Sequence, residues 1–174
     1  MPWRSLISSP RAFDPRRLAA YLVGAALFVG AGLGVVALVA PEASGWSAFR
    51  VTGTTVALLL VTFLTTPIQA AGEELTYRSA VLPAVASWVR AVRPALVVGL
   101  VVSSLVFAVA HGSTDPWLFG YFVVVAVSTG LMAGISGGIE APVAFHVANN
   151  VLVTTVNTLM ADGGVLPLDR ATDT

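Results

Sequence analysis

The chain has 174 residues, of which 56 % are hydrophobic and only 10 % are charged, and its mean hydropathy is +0.86. Because soluble domains carry about 25 % charged residues, this composition excludes an ordinary soluble protein and predicts a protein of the lipid bilayer. The formal net charge is zero, so nothing indicates a nucleic-acid partner. The absence of cysteine excludes disulfides and cysteine-ligated metals.

The N-terminal segment 1–17 is polar and basic, and we expect it to form a cytoplasmic tail. Arginines before a first span are typical of the cytoplasmic side of a membrane protein. The apolar run that follows, 18–40, is too long for the apolar part of a signal peptide, so we expect it to be the first membrane span. The arginines of the tail are Arg4, Arg11, Arg16 and Arg17.

Further apolar segments follow, separated by short polar or glycine-containing breaks. They predict an all-α transmembrane bundle of five or six helices that forms one domain over 18–161 and is followed by a polar tail at 162–174. In the segment 117–136, Gly130 and Gly134 form a small-xxx-small pair, which favours close helix packing. After the first span, the expected helices are 51–71, 73–89, 95–111, 117–136 and 141–161.

Arg90 and Arg93 conflict with a simple topology. Two spans return the chain to the cytoplasm near residue 72, so a full crossing by 73–89 would place these arginines outside, against the positive-inside rule. Either 73–89 is re-entrant or interfacial, or the rule is broken here. The sequence leaves both possibilities open.

Polar side chains interrupt the apolar helices in three places. A charge inside the bilayer costs about 2.5–3.5 kcal/mol on insertion scales, so ionisable residues at such positions indicate function. The three places hold Glu73, Glu74 and Arg78, then Phe107 and His111, then His146, Asn149 and Asn150.

The two glutamates of the first group have different expected surroundings. Glu74 and Arg78 are four residues apart and can pair on one helix face. Glu73 points about 100° away and can face the bundle interior, where desolvation would suit it to act as a general base on water. A purely structural ion pair is the simpler interpretation, but the second glutamate and the two histidines favour a catalytic site.

The hairpin formed by 73–89 and 95–111 would bring both glutamates level with His111. The pair of Glu73 and His111 is therefore the best supported part of the site. His146 is expected to lie on the order of 15 Å from His111 in depth if 117–136 crosses the membrane fully. The site then closes only if that helix is short, tilted or re-entrant, or if the site lies deep.

The asparagines after His146 have several possible roles. Asn150 shares a helix face with His146, so it could fix the tautomer of the imidazole or donate to an oxyanion. Asn149 lies off that face. For Asn149 and Asn157, hydrogen bonding between helices is the simpler interpretation.

Together, the three groups resemble the pattern EExxxR, FxxxH and HxxxN of the CPBP (CAAX-protease and bacteriocin-processing, or Abi) family of intramembrane proteases. The resemblance covers roughly residues 65–155. One departure is Ser79, where the family commonly has glycine. The matching residues are Glu73, Glu74, Arg78, Phe107, His111, His146 and Asn150.

The resemblance implies a membrane enzyme that hydrolyses peptide bonds. By it, Glu73 would activate water and His111 would share that role. His146 and Asn150 would stabilise the oxyanion, while Glu74 and Arg78 would orient the site. The implied mechanism uses no cofactor. Zinc bound by the same glutamates and histidines is the alternative, although the chain has no HExxH.

The implied partners are a peptide or membrane-protein substrate and the lipid bilayer, and the oligomeric state stays open. The chain contains no lysine and is rich in alanine, valine and glycine, which suggests a bacterial plasma-membrane protein. Bacteriocin maturation or immunity would then fit better than prenylated substrates. A non-enzymatic immunity or scaffold protein is a further alternative. So is a proton-coupled carrier, although the inverted repeats usual in carriers are not visible.

Overall fold

The computed structural model describes residues 11–40 and 44–164, and this part of the chain is helical without a β-strand. Four of its five helices, α1 to α4, are long and apolar enough to cross a membrane. The prediction of a helical, multi-pass membrane bundle is confirmed. Most of the two predicted tails, 1–17 and 162–174, lies outside the described residues. The helices are α1 (Pro15–Val39), α2 (Gly53–Ala86), α3 (Val92–Ala110), α4 (Pro116–Ser136) and α5 (Glu140–Leu159).

Helix α2 differs from the sequence prediction. Two helices were expected at 51–71 and 73–89, but one helix runs through both, and its segment Leu75–Val81 is a π-helix. Pro83 supplies the physical reason, because its ring clashes with the carbonyl four residues back and a wider turn before it relieves the clash. The two glutamates therefore lie inside a long helix and not in a first turn.

Because α2 is one continuous helix, the positions of Arg90 and Arg93 no longer conflict with the positive-inside rule. Arg17 at the start of α1 pairs with Glu140 at the start of α5, so these two helices begin at one end of the bundle. Thr52 before α2 contacts Gly163 after α5, so α2 runs the opposite way. Arg90 and Arg93, which follow α2, consequently lie at the same end as the start of α1, as the positive-inside rule requires.

The bundle is apolar outside and largely small or polar inside. In α1, Leu27 and Phe28 are more than 70 % exposed, as expected for side chains that face lipid. Without a hydrophobic driving force between helices in a membrane, packing depends on small residues and on hydrogen bonds between helices. The buried polar side chains include Thr55, Thr62, Glu74, Arg78, Ser103, Ser104, Thr129, His146 and Asn149.

Close packing occurs at two glycines. A Cβ atom on Gly130 would collide with Leu100 of α3, whereas one on Gly134 would meet nothing within 4 Å, so only half of the predicted small-residue pair packs closely. Gly99 makes a contact that was not predicted, since its Cβ would lie 2.8 Å from the backbone oxygen of Leu82. Gly99 therefore holds α3 against α2, and Gly130 holds α4 against α3.

Replacing Gly99 by alanine is expected to lower the free energy of unfolding by about 1–3 kcal/mol, because the added methyl group overpacks the contact with Leu82. Gly134→Ala is the matched control, and it should leave stability unchanged or raise it by up to about 1 kcal/mol. Thermal unfolding in detergent measures both variants. Equal midpoints for the two would contradict the close approach of α3 and α2.

Candidate active site

The α2–α3 hairpin sets the level of the site. The hydroxyl of Ser103 in α3 donates to the backbone oxygen of Tyr77 in the π-helical segment, at 2.8 Å. The rings of Tyr77 and Phe107 pack edge to face, with their centroids 5.2 Å apart. This register brings Glu74 level with Phe107 and leaves His111 one turn closer to the end of α3.

Arg78 is buried at the junction of three helices. Its Nε atom lies 3.2 Å from Oε2 of Glu74, and both side chains are fully buried. The guanidinium donates twice to the hydroxyl of Thr129 in α4, at 2.9 and 2.7 Å, and once to that of Ser103, at 3.3 Å. It also lies over the Phe107 ring. A buried charge requires such partners. The pair of Glu74 and Arg78, which their four-residue spacing predicted, is present in the structure.

Sequence reasoning missed the two hydroxyl residues, Ser103 and Thr129, that complete this arrangement. Each is a polar residue at a fully buried position in an otherwise apolar span. That interruption of the apolar pattern was the available signal. It was overlooked because hydroxyl side chains commonly bond to their own helix backbone.

His146 of α5 connects the two glutamates. Its Nδ1 atom lies 2.8 Å from Oε1 of Glu74, and its Nε2 atom lies 3.6 Å from Oε2 of Glu73. The imidazole is buried. The contact with Glu74 orients the imidazole. Among the described residues, no hydrogen bond joins the imidazole to Asn150, which the sequence offered for fixing its tautomer.

The ring of Phe107 lies between His111 and His146, which the sequence predicted to differ in depth. The centroid of its ring lies 4.5 Å from that of His111 and 5.8 Å from that of His146. Helix α4 is not shortened, since it runs over Pro116–Ser136. The Phe107 side chain therefore connects the two histidines although α4 keeps its full length.

His111 does not have the expected partner. It is exposed at the end of α3, its Nδ1 atom lies 2.8 Å from the backbone oxygen of Phe107, and its ring stacks on Phe122 of α4. Within residues 11–40 and 44–164, no hydrogen bond or ion pair joins His111 to either glutamate. The expected pair of Glu73 and His111 is thus replaced by a pair of Glu73 and His146.

Glu73 lies at the edge of the site. Gln69, one turn earlier in α2, donates to its Oε1 atom at 3.0 Å. Its Oε2 atom is buried, faces His146 and has no hydrogen-bond partner among the described residues. The side chain is 20 % exposed, against 0 % for Glu74. Gln69 was also missed, although a glutamine one turn from a glutamate in an apolar helix was a visible signal.

The asparagines of α5 form a short chain of hydrogen bonds. The side-chain amide of Asn149 donates to the hydroxyl of Tyr121 in α4, which is the kind of contact between helices expected for it. It also donates to Oδ1 of Asn150 at 3.1 Å. Because this contact uses the oxygen of the Asn150 amide, its nitrogen is the atom that can donate to another group. Asn157 bonds elsewhere, to the indole of Trp46.

The side chains do not form an evident metal site. Among the described residues, no three or more His, Asp or Glu side chains are arranged to hold one metal ion. Nδ1 of His146 already lies against Glu74, and His111 makes its contacts with Phe107 and Phe122. This donor set does not match the three or four converging ligands of a zinc centre.

The family of the chain follows from a comparison with protein-family models. The model of the type II CAAX prenyl endopeptidase Rce1-like family matches residues 52–152, a range that covers more than half of the chain and contains the whole of the site. The searches of curated proteins and of solved structures found no match. The resemblance drawn from the three polar groups is confirmed, and the chain belongs to the Rce1-like family of CAAX endopeptidases, which are intramembrane peptide hydrolases.

Proposed function

We propose that this protein hydrolyses a peptide bond of a membrane-embedded substrate and that Glu73 is the general base that activates the attacking water. The observation that carries the proposal is the contrast between two adjacent glutamates. The side chain of Glu74 is fully buried, and its two carboxylate oxygens lie next to Arg78 and His146. Among the described residues, Glu73 has no arginine partner, and its side chain is 20 % exposed.

In the proposed reaction, Oε2 of Glu73 takes a proton from water as the water oxygen attacks the scissile carbonyl carbon. The resulting oxyanion accepts a hydrogen bond from the side-chain amide of Asn150 and, when Nε2 of His146 carries a proton, from that imidazole as well. When the tetrahedral intermediate collapses, the C–N bond breaks and Glu73 gives the proton to the leaving amine. No other reactant is needed.

His111 is proposed to share the transfer of protons. Its Nδ1 atom is held at the backbone oxygen of Phe107, which favours the tautomer with the proton on Nδ1 and leaves Nε2 as an acceptor. Its exposure at the end of α3 places this acceptor where water can reach it. Glu74 and Arg78 are positioning residues, because they hold the imidazole of His146 and the π-helical segment in place.

The proposed substrate is a peptide or a membrane protein that reaches the site from the bilayer. The arginines at one end of the bundle orient the start of α1 to the cytoplasm under the positive-inside rule. A bacterial plasma-membrane location and a part in bacteriocin maturation or immunity stay predictions from composition and from the resemblance.

Glu73→Gln is expected to lower kcat by about 10²–10⁴-fold, the usual contribution of a general base. The assay is cleavage of a fluorogenic peptide library by the purified protein in detergent. Glu140→Gln is the control, because Glu140 is a buried carboxylate that pairs with Arg17 at the end of the bundle. Comparable activity of Glu73→Gln and the wild type would rule out Glu73 as the base.

Removal of divalent metals is expected to leave the cleavage rate unchanged, because the proposed base is a side chain. The measurement is the same cleavage assay after dialysis against a chelator, with and without added zinc. A loss of activity that zinc restores would show that the enzyme is a metalloprotease.

A further inference from the structure

One face of α2 is polar although the helix crosses the membrane. Thr65, Gln69, Gly72 and Thr76 are spaced by three or four residues and are all exposed. The other large exposed side chains of this helix are apolar, among them Leu64 and Ile68. Where a glutamine contacts lipid tails, the N–H and C=O groups of its amide that are not bonded within the protein find no partner, which is costly. This face is therefore better suited to a polar partner than to lipid.

On this face of α2, Gln69 carries the hydrogen-bonding groups that have no partner among the described residues. The hydroxyls of Thr65 and Thr76 donate to backbone oxygens of their own helix, those of Val61 and Gly72, both at 2.8 Å. The amide of Gln69 donates one hydrogen bond to Glu73. Its oxygen and its second N–H bond make no hydrogen bond to the described residues, so one acceptor and one donor remain beside the proposed base.

Gly72 leaves space next to the same carboxylate. A Cβ atom at this position would meet nothing within 4 Å. Glycine inside a helix costs about 1 kcal/mol relative to alanine, and Gly72, like Gly34 and Gly134, has no packing contact that requires a glycine. The open position adjoins Glu73 and lies one turn from Gln69, where another backbone can approach closely.

We propose that Gln69 and Gly72 form a subsite that binds the backbone of an extended peptide substrate beside Glu73, an inference that rests on the proposed function. A peptide bond must leave a helix before water can attack it, and its N–H and C=O groups then lack partners inside the membrane. The amide of Gln69 offers the matching acceptor and donor. Gly72 lets the scissile carbonyl come close to Glu73.

Gly72→Leu and Gln69→Met test this subsite. Gly72→Leu is expected to lower kcat/KM at least 10-fold for the fluorogenic peptides while the unfolding midpoint is kept, because the added side chain fills the space of the substrate. Gln69→Met, similar in size but without the amide, should raise KM at least 5-fold. Gly34→Leu is the matched control, since a Cβ at Gly34 in α1 also meets nothing within 4 Å, and it should cleave as the wild type does.

Glu73→Gln, assayed in parallel, separates the two proposals. If it loses activity while Gly72→Leu and Gln69→Met cleave normally, the subsite is overturned and the proposed function stands. If it stays active, the proposed function fails. A fall in kcat alone for Gln69→Met, with Gly72→Leu unaffected, would reduce Gln69 to a residue that orients Glu73. Normal cleavage by Gly72→Leu with a changed oligomeric state would assign this face to a second copy of the chain, which also overturns the subsite.

Discussion

The structure depends on one constraint, which is the burial of the Arg78 guanidinium inside a membrane bundle. A charge at this place must be neutralised and hydrogen-bonded, because removing one partner of a buried pair costs about 3–5 kcal/mol. Glu74 supplies the charge, and hydroxyls from α3 and α4 supply acceptors. Since these partners come from three helices, the requirement of one side chain brings together α2, α3 and α4. Through the second oxygen of Glu74, it also positions His146 of α5.

The same constraint separates the roles of the adjacent glutamates. Glu74 uses both oxygens on protein groups, so it is held by Arg78 and His146. Glu73 lies on the neighbouring side of the helix, where Gln69 holds one oxygen and the other faces His146. The π-helical segment begins directly after this pair, and such wide turns occur often at functional sites. Two adjacent residues thus have different roles. Glu74 positions the site, and Glu73 is the carboxylate left to react.

The sequence predicted the parts of the site that depend on spacing within one helix or one hairpin. Glu74 and Arg78 pair because they are four residues apart. The hairpin itself was predicted, but its register differs by one turn, since Glu74 lies level with Phe107 and not with His111. The continuity of α2 was missed, since the charges of Glu73 and Glu74 were interpreted as the first turn of a new helix. The bond between His146 and Glu74 was also missed, because the relative depth of α5 depends on contacts between helices that no local pattern encodes, such as the ion pair of Arg17 with Glu140.

We infer that Glu74 holds the fold and the site together and that Glu73 does not. The most direct measurement is the free energy of unfolding of Glu74→Gln and Glu73→Gln in the same detergent. We expect a loss of about 3–5 kcal/mol for Glu74→Gln, because the buried Arg78 loses its counter-charge. For Glu73→Gln we expect a loss below about 1 kcal/mol, because its side chain is partly exposed and has no arginine partner among the described residues. Equal losses for the two variants, or a larger loss for Glu73→Gln, would rule out this division of roles between the two glutamates.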